Sequence, residues 1–265
     1  MQRVIHENHV VTYVFNRLYH RSGVRAYVST RHGGVSPDPW HSLNFSISRG
    51  DTPERVAQNR QLFANAVHVS TEHIVRCHQV HGTGVAKVDW SHASSLIDGT
   101  DGLITDSVAL PLAWVFADCV PVLLYDPIQR ALGGCHAGWR GTVNGAAAAT
   151  LWAMQAAYGT DPAHVIACIG PSIGPESYQV GPEVVELAHA KLKRAERFFQ
   201  YRDGSEANPY FDLWQANREQ LVELGVNPAN MEISEIDTAQ QVDDFYSHRA
   251  EKGQCGLFAM IGWLE

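Results

Sequence analysis

Apolar and polar positions along the chain fall into short runs that read as strands, separated by fewer segments of helical spacing. Val10–Phe15 and Val24–Ser29 are rich in β-branched and aromatic residues and predict strands. Thr52-Pro53-Glu54 predicts a helix start, with Thr52 as N-cap and proline in the first turn. Its apolar positions Val56, Leu62, Phe63 and Val67 carry that helix to about Val67. Ile74–Cys77 and Val85–Val88 predict short strands on either side of the loop His78-Gln79-Val80-His81-Gly82, and Gly102–Thr105 a further one. Between Ala113 and Gly141 three apolar runs follow one another. The first stops at Asp118-Cys119, the second covers Val120–Tyr125, and the third, Ala131–Cys135, delivers His136 into a Gly-Trp-Arg-Gly turn. Thr142–Tyr158, alanine-rich and free of proline, predicts one helix.

Farther along, His164–Ile169 predicts a strand, Gly170–Pro175 a turn, and Tyr178–Val180 a short strand. Pro182–Ala195 and Asp212–Leu224 predict two helices, and apolar Gly256–Leu264 a final, central strand. There is no repeat, low-complexity tract or linker. The expectation is α+β: a single domain over residues 1–265, with mixed β-sheets packed against helices.

At 265 residues and 45% hydrophobic content the chain can bury a sizeable core. A formal net charge of −8 argues against a nucleic-acid partner, which would meet a basic face. No apolar run is long enough for a bilayer and Met1–Val10 lacks a signal-peptide pattern, so no membrane partner is expected. The five cysteines are odd in number and scattered, which disfavours a disulfide framework and fits a cytoplasmic location.

Three residues carry the chemistry. His81, Cys119 and His136 are of types suited to a soft divalent metal, and both His136 and Cys119 fall at ends of predicted strands. Thiolate and imidazole favour zinc, with copper also compatible, and three protein ligands leave a fourth position open as in catalytic sites. Spacing alone is weak support, because a chain with fourteen histidines offers many triples. A competing reading makes Cys119 a nucleophile with a histidine base, and another makes it a buried small hydrophobe. Asp118 beside the thiol would not favour a free thiolate, whereas a metal would deprotonate it. Cys77 is an alternative fourth ligand or a packed strand residue. Strand alternation points Cys135 away from His136, and Cys168 and Cys255 read as core. The Gly138–Thr142 turn with Arg140 offers an anion seat or a plain strand-to-helix turn. Arg31 and Arg60 are either anion ligands or solvated charges. Phe245-Tyr246 is a stacking pair or core.

Collinear motifs then bring a resemblance. Gln79-Val80-His81-Gly82, Thr100-Asp101-Gly102 with Thr105-Asp106, Ala117-Asp118-Cys119-Val120-Pro121-Val122, His136-Ala137-Gly138-Trp139-Arg140-Gly141, and Gly170-Pro171-Ser172-Ile173-Gly174 with Tyr178 and Val180-Gly181 resemble the laccase-domain, or YfiH-type polyphenol-oxidase-like, family. The likeness runs from Ser29-Thr30-Arg31 through Asn44 to Arg249. It implies one YfiH-like α+β domain with zinc on His81, Cys119 and His136. It also implies phosphorolysis of adenosine, inosine, guanosine or methylthioadenosine, together with adenosine deamination. Purine nucleoside and phosphate would be the small-molecule partners. Arg31, Asn44, Arg60 and Arg140 are the candidate substrate contacts, and Asp118 a proton-transfer or ligand-orienting group among the catalytic residues His81, Cys119 and His136. Two other readings come with the family: a copper-dependent polyphenol oxidase, and an editing role on peptidoglycan precursors. A multicopper oxidase needs clustered His-X-His pairs, and this chain has none. One departure bears on the pocket: Asp237-Thr238 stands where the family usually carries Cys-Thr.

Overall fold

The computed structural model describes residues 1–202 and 208–265. Two mixed sheets lie face to face, with one helix on the outer side of the first and several on the outer side of the second. The seven-stranded sheet runs, in spatial order, Gln2–Ile5, Val11–Val14, Val24–Ser29, Phe258–Leu264, Leu112–Phe116, Val75–Cys77 and Leu96–Ile97. The six-stranded sheet runs Met231–Ile233, Ile166–Ile169, Val120–Asp126, Ala131–Ala137, Gly102–Thr105 and Val85–Lys87.

Alternation along the strands builds three apolar layers from these two sheets. Trp114, Phe116, Phe258 and Met260 of the first sheet meet Leu103, Leu123 and Leu132 of the second in the central layer. The next residues over, Val122, Leu124 and Ile169, face outward instead and pack on Leu151, Met154, Leu213 and Leu221 of helices Ala146–Tyr158 and Leu213–Glu223. On the far side Ala259 and Ile261 pack on Phe63, Ala64 and Val67 of or just after helix Pro53–Ala66. The C-terminal strand is the fourth of seven in its sheet, central as expected.

Several sequence expectations shift. The segment expected as one helix from Thr142 is two, Trp139–Asn144 and Ala146–Tyr158, because Gly145 sits in the left-handed region at φ 86°. Tyr178–Val180 forms a single bridge, Gln179 to Tyr210, rather than a strand, its other backbone groups bonding to Pro209 and Phe211. The helix after Gly181 ends at Lys191, short of Ala195. Strands Gln2–Ile5, Leu96–Ile97 and Met231–Ile233 and the short helix Asn16–Tyr19 had no signal in the pattern. Among the described residues no helix is long and apolar enough to cross a membrane.

Candidate metal centre

Strands Val120–Asp126 and Ala131–Ala137 pair antiparallel with His136 opposite Pro121 and Ala137 opposite Val120. This register brings Cys119, just before one strand, beside His136, near the end of the other. His81 comes from the loop after strand Val75–Cys77. That loop is pinned by Gln79, whose amide donates to the Val115 carbonyl at 2.9 Å and accepts from the Val115 N–H at 2.9 Å. One donor atom from each of His81, Cys119 and His136 falls within 4.8 Å of the other two. The two imidazole rings meet edge to face, centroids 4.8 Å apart. Among the described residues this is the one His/Cys/carboxylate cluster so arranged.

Asp101 holds the cluster together. It is wholly buried, and its carboxylate accepts the His136 Nδ1 contact at 2.8 Å and the backbone N–H groups of Val80, His81 and Gly82 at 3.1, 3.1 and 2.7 Å. Burial alone would raise its pKa, but these hydrogen bonds and the His136 charge bring it below the ordinary carboxylate range. One acid thus orients the His136 imidazole through Nδ1, leaving Nε2 for the cluster, and fixes the loop bearing His81. Asp101 lies in the Thr100-Asp101-Gly102 motif, which by itself assigns it no role. The motif was the available signal.

The donors fit a metal on their chemistry and on the space between them. Burial opposes ionisation of Cys119, yet the neighbouring His136 charge and hydrogen bonds from both histidines outweigh it and lower its pKa. Burial likewise opposes the charged form of His136, and the Cys119 charge with the Asp101 bond reverses that. A thiolate beside two imidazoles is a set for zinc or copper. Gly138 lines the gap. A Cβ there would stand 2.8 Å from His81 Nδ1 and 2.9 Å from Cys119 Sγ, so only glycine leaves the cradle clear. Burial falls from His136 through half-buried Cys119 to exposed His81, so the centre opens towards solvent on the His81 side. His81 and Asp118 both hold left-handed backbone, φ 59° and 80°, unusual for residues with a Cβ.

The other candidates separate by their bonds. Asp118 is buried, and its carboxylate accepts from the Thr238 hydroxyl and the Arg249 N–H, each at 2.7 Å, tying the C-terminal segment to the residue next to Cys119. Burial raises its pKa against these bonds. Asn44 is bonded within the protein. It is wholly buried, its amide NH2 donates to Ser46 and Asp51, and its oxygen accepts from Ser46 and Leu257, which fills its capacity. Arg31 is likewise a clamp, donating to the carbonyls of His41 and Val242 and to Glu251 beneath the Tyr246 ring. Arg60 donates to the Phe45 carbonyl, and burial with the charge of Arg76 pulls its pKa to about 10. Arg140 is exposed and stacks on Trp139 at 4.1 Å. Cys77, Cys135, Cys168 and Cys255 are buried, and burial lifts the Cys77 and Cys135 thiols to about 12. Phe245 and Tyr246 are core. Asp237 is buried, and its carboxylate accepts from the Ser177 hydroxyl at 2.6 Å and the Ala239 N–H at 2.9 Å.

A family model described as multi-copper polyphenol oxidoreductase laccase matches residues 25–265. The chain is 36% identical over 252 residues to a protein of Geobacillus stearothermophilus named purine nucleoside phosphorylase YlmD, covering 92% of each. It is 35% identical over 235 residues to a purine nucleoside phosphorylase of Bacteroides thetaiotaomicron, covering 86% of this chain and 87% of that one. Among solved structures, YlmD from Geobacillus stearothermophilus superposes with a TM-score of 0.91 at 32% identity, covering 100% of this chain and 98% of that one. The hypothetical protein YfiH of Bacillus licheniformis superposes with a TM-score of 0.87 at 33% identity, covering 91% and 93%.

Proposed function

The chain belongs to the laccase-domain (YfiH/YlmD) family, and from that premise we propose that it is a zinc-dependent purine nucleoside phosphorylase with adenosine deaminase activity. The observation that carries the reading is the convergence of the His81, Cys119 and His136 donors around the gap kept by Gly138, in a chain whose relatives bear the phosphorylase name.

Those three residues would hold the ion. When bound, zinc supplies Lewis acidity at the open position and can bring the pKa of a water there to about 7. The protein's own part is orientation. Asp101 fixes the tautomer and plane of His136 and the loop of His81. Asp118, with hydrogen-bond partners on the C-terminal segment, acts by holding that segment against the centre rather than by moving a proton. In phosphorolysis an oxygen of phosphate bonds to ribose C1′ as the C1′–N9 bond breaks. The electron pair leaves with the purine, which takes up a proton, and the products are free base and ribose 1-phosphate. In deamination water adds at C6 of adenosine, ammonia departs and inosine remains. The centre's exposed side gives a nucleoside access to both reactions.

The copper oxidase reading draws less support. Several coppers need several ligand clusters, and the described residues arrange one.

The test is incubation of the zinc-loaded protein with adenosine, inosine, guanosine or methylthioadenosine and phosphate, with products followed by chromatography. Free base, ribose 1-phosphate and, from adenosine, inosine are expected. Absence of turnover with all four overturns the reading. Elemental analysis belongs beside it: one zinc per chain is expected, lost in Cys119→Ala.

A further inference from the structure

The backbone that follows His136 is tied to a helix from a distant part of the chain, and the tie passes through Thr142. This residue is wholly buried in the short helix Trp139–Asn144. Its N–H donates to the Gly138 carbonyl at 2.7 Å and its hydroxyl to the Ala137 carbonyl at 3.3 Å. The hydroxyl oxygen accepts from Asn217 Nδ2 at 2.9 Å, and the Thr142 carbonyl accepts from Gln220 Nε2 at 3.0 Å. Asn217 and Gln220 lie 75 and 78 residues farther on, in helix Leu213–Glu223.

The fastened backbone borders all three donors of the cluster. Ala137 and Gly138 directly follow His136, and Gly138 stands at the gap between His81 and Cys119. Gly141 packs against the loop of His81 as well: a Cβ there would stand 3.4 Å from the Gly82 carbonyl and 3.4 Å from that of His136. The helix that carries these contacts has 6 residues, and its N-cap Gly138 makes no side-chain cap bond. A helix of that length does not hold itself in water. Its placement is set from outside, by Asn217 and Gln220.

Asn217 is explained by its donor end. It is wholly buried, and its Nδ2 also donates to the Leu213 carbonyl at 2.8 Å, while no donor among the described residues reaches its Oδ1. A buried acceptor without a donor costs stability, and an apolar side chain of similar size would avoid that cost. Nor does either of its acceptors depend on it. Leu213 lies in the same helix, and the Thr142 hydroxyl keeps Ala137 for its proton. What leucine at this position could not supply is the hold on Thr142.

We propose that Asn217 is a positioning residue for the metal centre: acting through the Thr142 hydroxyl, with Gln220 on the Thr142 carbonyl, it registers helix Trp139–Asn144 and so keeps Gly138 in place between His81 and Cys119. The proposal rests on the reading of His81, Cys119 and His136 as metal ligands; it does not rest on the phosphorylase reading.

The experiment uses the full chain, with zinc affinity read by chelator competition and the thiolate charge-transfer band read in the cobalt(II)-substituted protein. In N217L zinc affinity is expected to fall about tenfold, the lower end of the loss when a group supporting a metal site is removed, and the cobalt band to shift. The zinc-free Tm of N217L stays near the parental value, because no donor is stranded. T142V reads the same bond from its other end if N217L does not fold, and T142S, which keeps the hydroxyl, recovers most of the affinity lost in T142V. The double variant N217L/T142V falls no further than the single ones, as expected for two ends of one bond. Parental zinc affinity and cobalt spectrum in N217L and T142V overturn the proposal, and a lowered zinc-free Tm beside them assigns Asn217 to fold stability alone. A parent that holds no zinc through Cys119 removes the metal reading and the proposal with it. Asn217-dependent zinc binding without nucleoside turnover supports the proposal and removes only the phosphorylase reading.

Discussion

Gly138 has ordinary extended backbone, φ −64° and ψ 177°, so alanine there meets no conformational penalty. Its whole effect is the methyl group, placed 2.8 Å from His81 Nδ1 and 2.9 Å from Cys119 Sγ. Gly138→Ala is therefore expected to keep its far-UV circular dichroism and zinc-free stability while zinc affinity, read by chelator competition, falls at least tenfold. Undiminished affinity would mean that these three donors do not hold the ion. Asp101→Asn probes the same centre from behind. Exchange of a ligand-orienting group of this kind lowers metal affinity about 10–100-fold, and zinc retained at parental affinity would remove Asp101 from that role. At this scale the grouping of His81, Cys119 and His136 was legible through the motifs, since spacing alone among fourteen histidines singles out no triple. Asp101 was not. Its bonds run to amides 19 to 21 residues earlier and an imidazole 35 residues later, and residue type says nothing of such partners. Asn44 and Arg31 show the same limit: their bonds to Asp51 and Leu257 and to Val242 and Glu251 are announced by no residue pattern.

Strand existence was the most readable part of the fold, because a buried strand must alternate or run apolar whichever neighbour it takes. The missed strands have short or exposed runs, as in Gln2–Ile5, where most positions face solvent. The long alanine-rich segment misled for another reason: helix propensity is high on both sides of Gly145, and only the left-handed φ of that residue separates the two helices. The break matters for the site, since it lets the short helix after His136 take a different course from the one that covers the sheet. Its N–H caps the first helix on the carbonyls of Gly141 and Thr142, and Gln220 donates to the Thr142 carbonyl at 3.0 Å. Gly145→Ala should destabilise by about 1–2 kcal/mol, the penalty for left-handed backbone with a Cβ, equivalent to a Tm lowered by roughly 2–8 °C. Thermal unfolding of the zinc-free protein measures it, and an unchanged or raised Tm would contradict a forced left-handed turn.

Across the whole molecule the segment from Asp237 to Gly253 has little regular structure, yet it joins the parts. Thr238 and Arg249 bond to Asp118, Tyr246 donates to the Trp40 carbonyl, and Glu251 receives Arg31. Periodicity could not reveal this, because the bonds connect residues up to 241 apart and depend on how the sheets close. Asp244 is the broadest of these ties. Its carboxylate accepts from the Tyr13 hydroxyl at 2.6 Å, pairs with His32 at 2.8 Å and with Arg3 at 3.2 Å, and so links the N-terminal strands to the loop that carries Arg249. Burial would raise its pKa, but the bonds from Tyr13, Arg3 and His32 bring it below the ordinary value. A group depressed on folding stabilises fully above its unfolded pKa, about 3.9, and loses that contribution as pH falls through the folded value. Asp244→Asn keeps the shape and removes the charge. Chemical denaturation of parent and variant should therefore differ by about 1–3 kcal/mol near neutral pH, with the gap closing below about pH 4 as the parental carboxyl protonates. A gap constant from pH 7 to pH 3 would assign the tie to packing and leave its charge without a role.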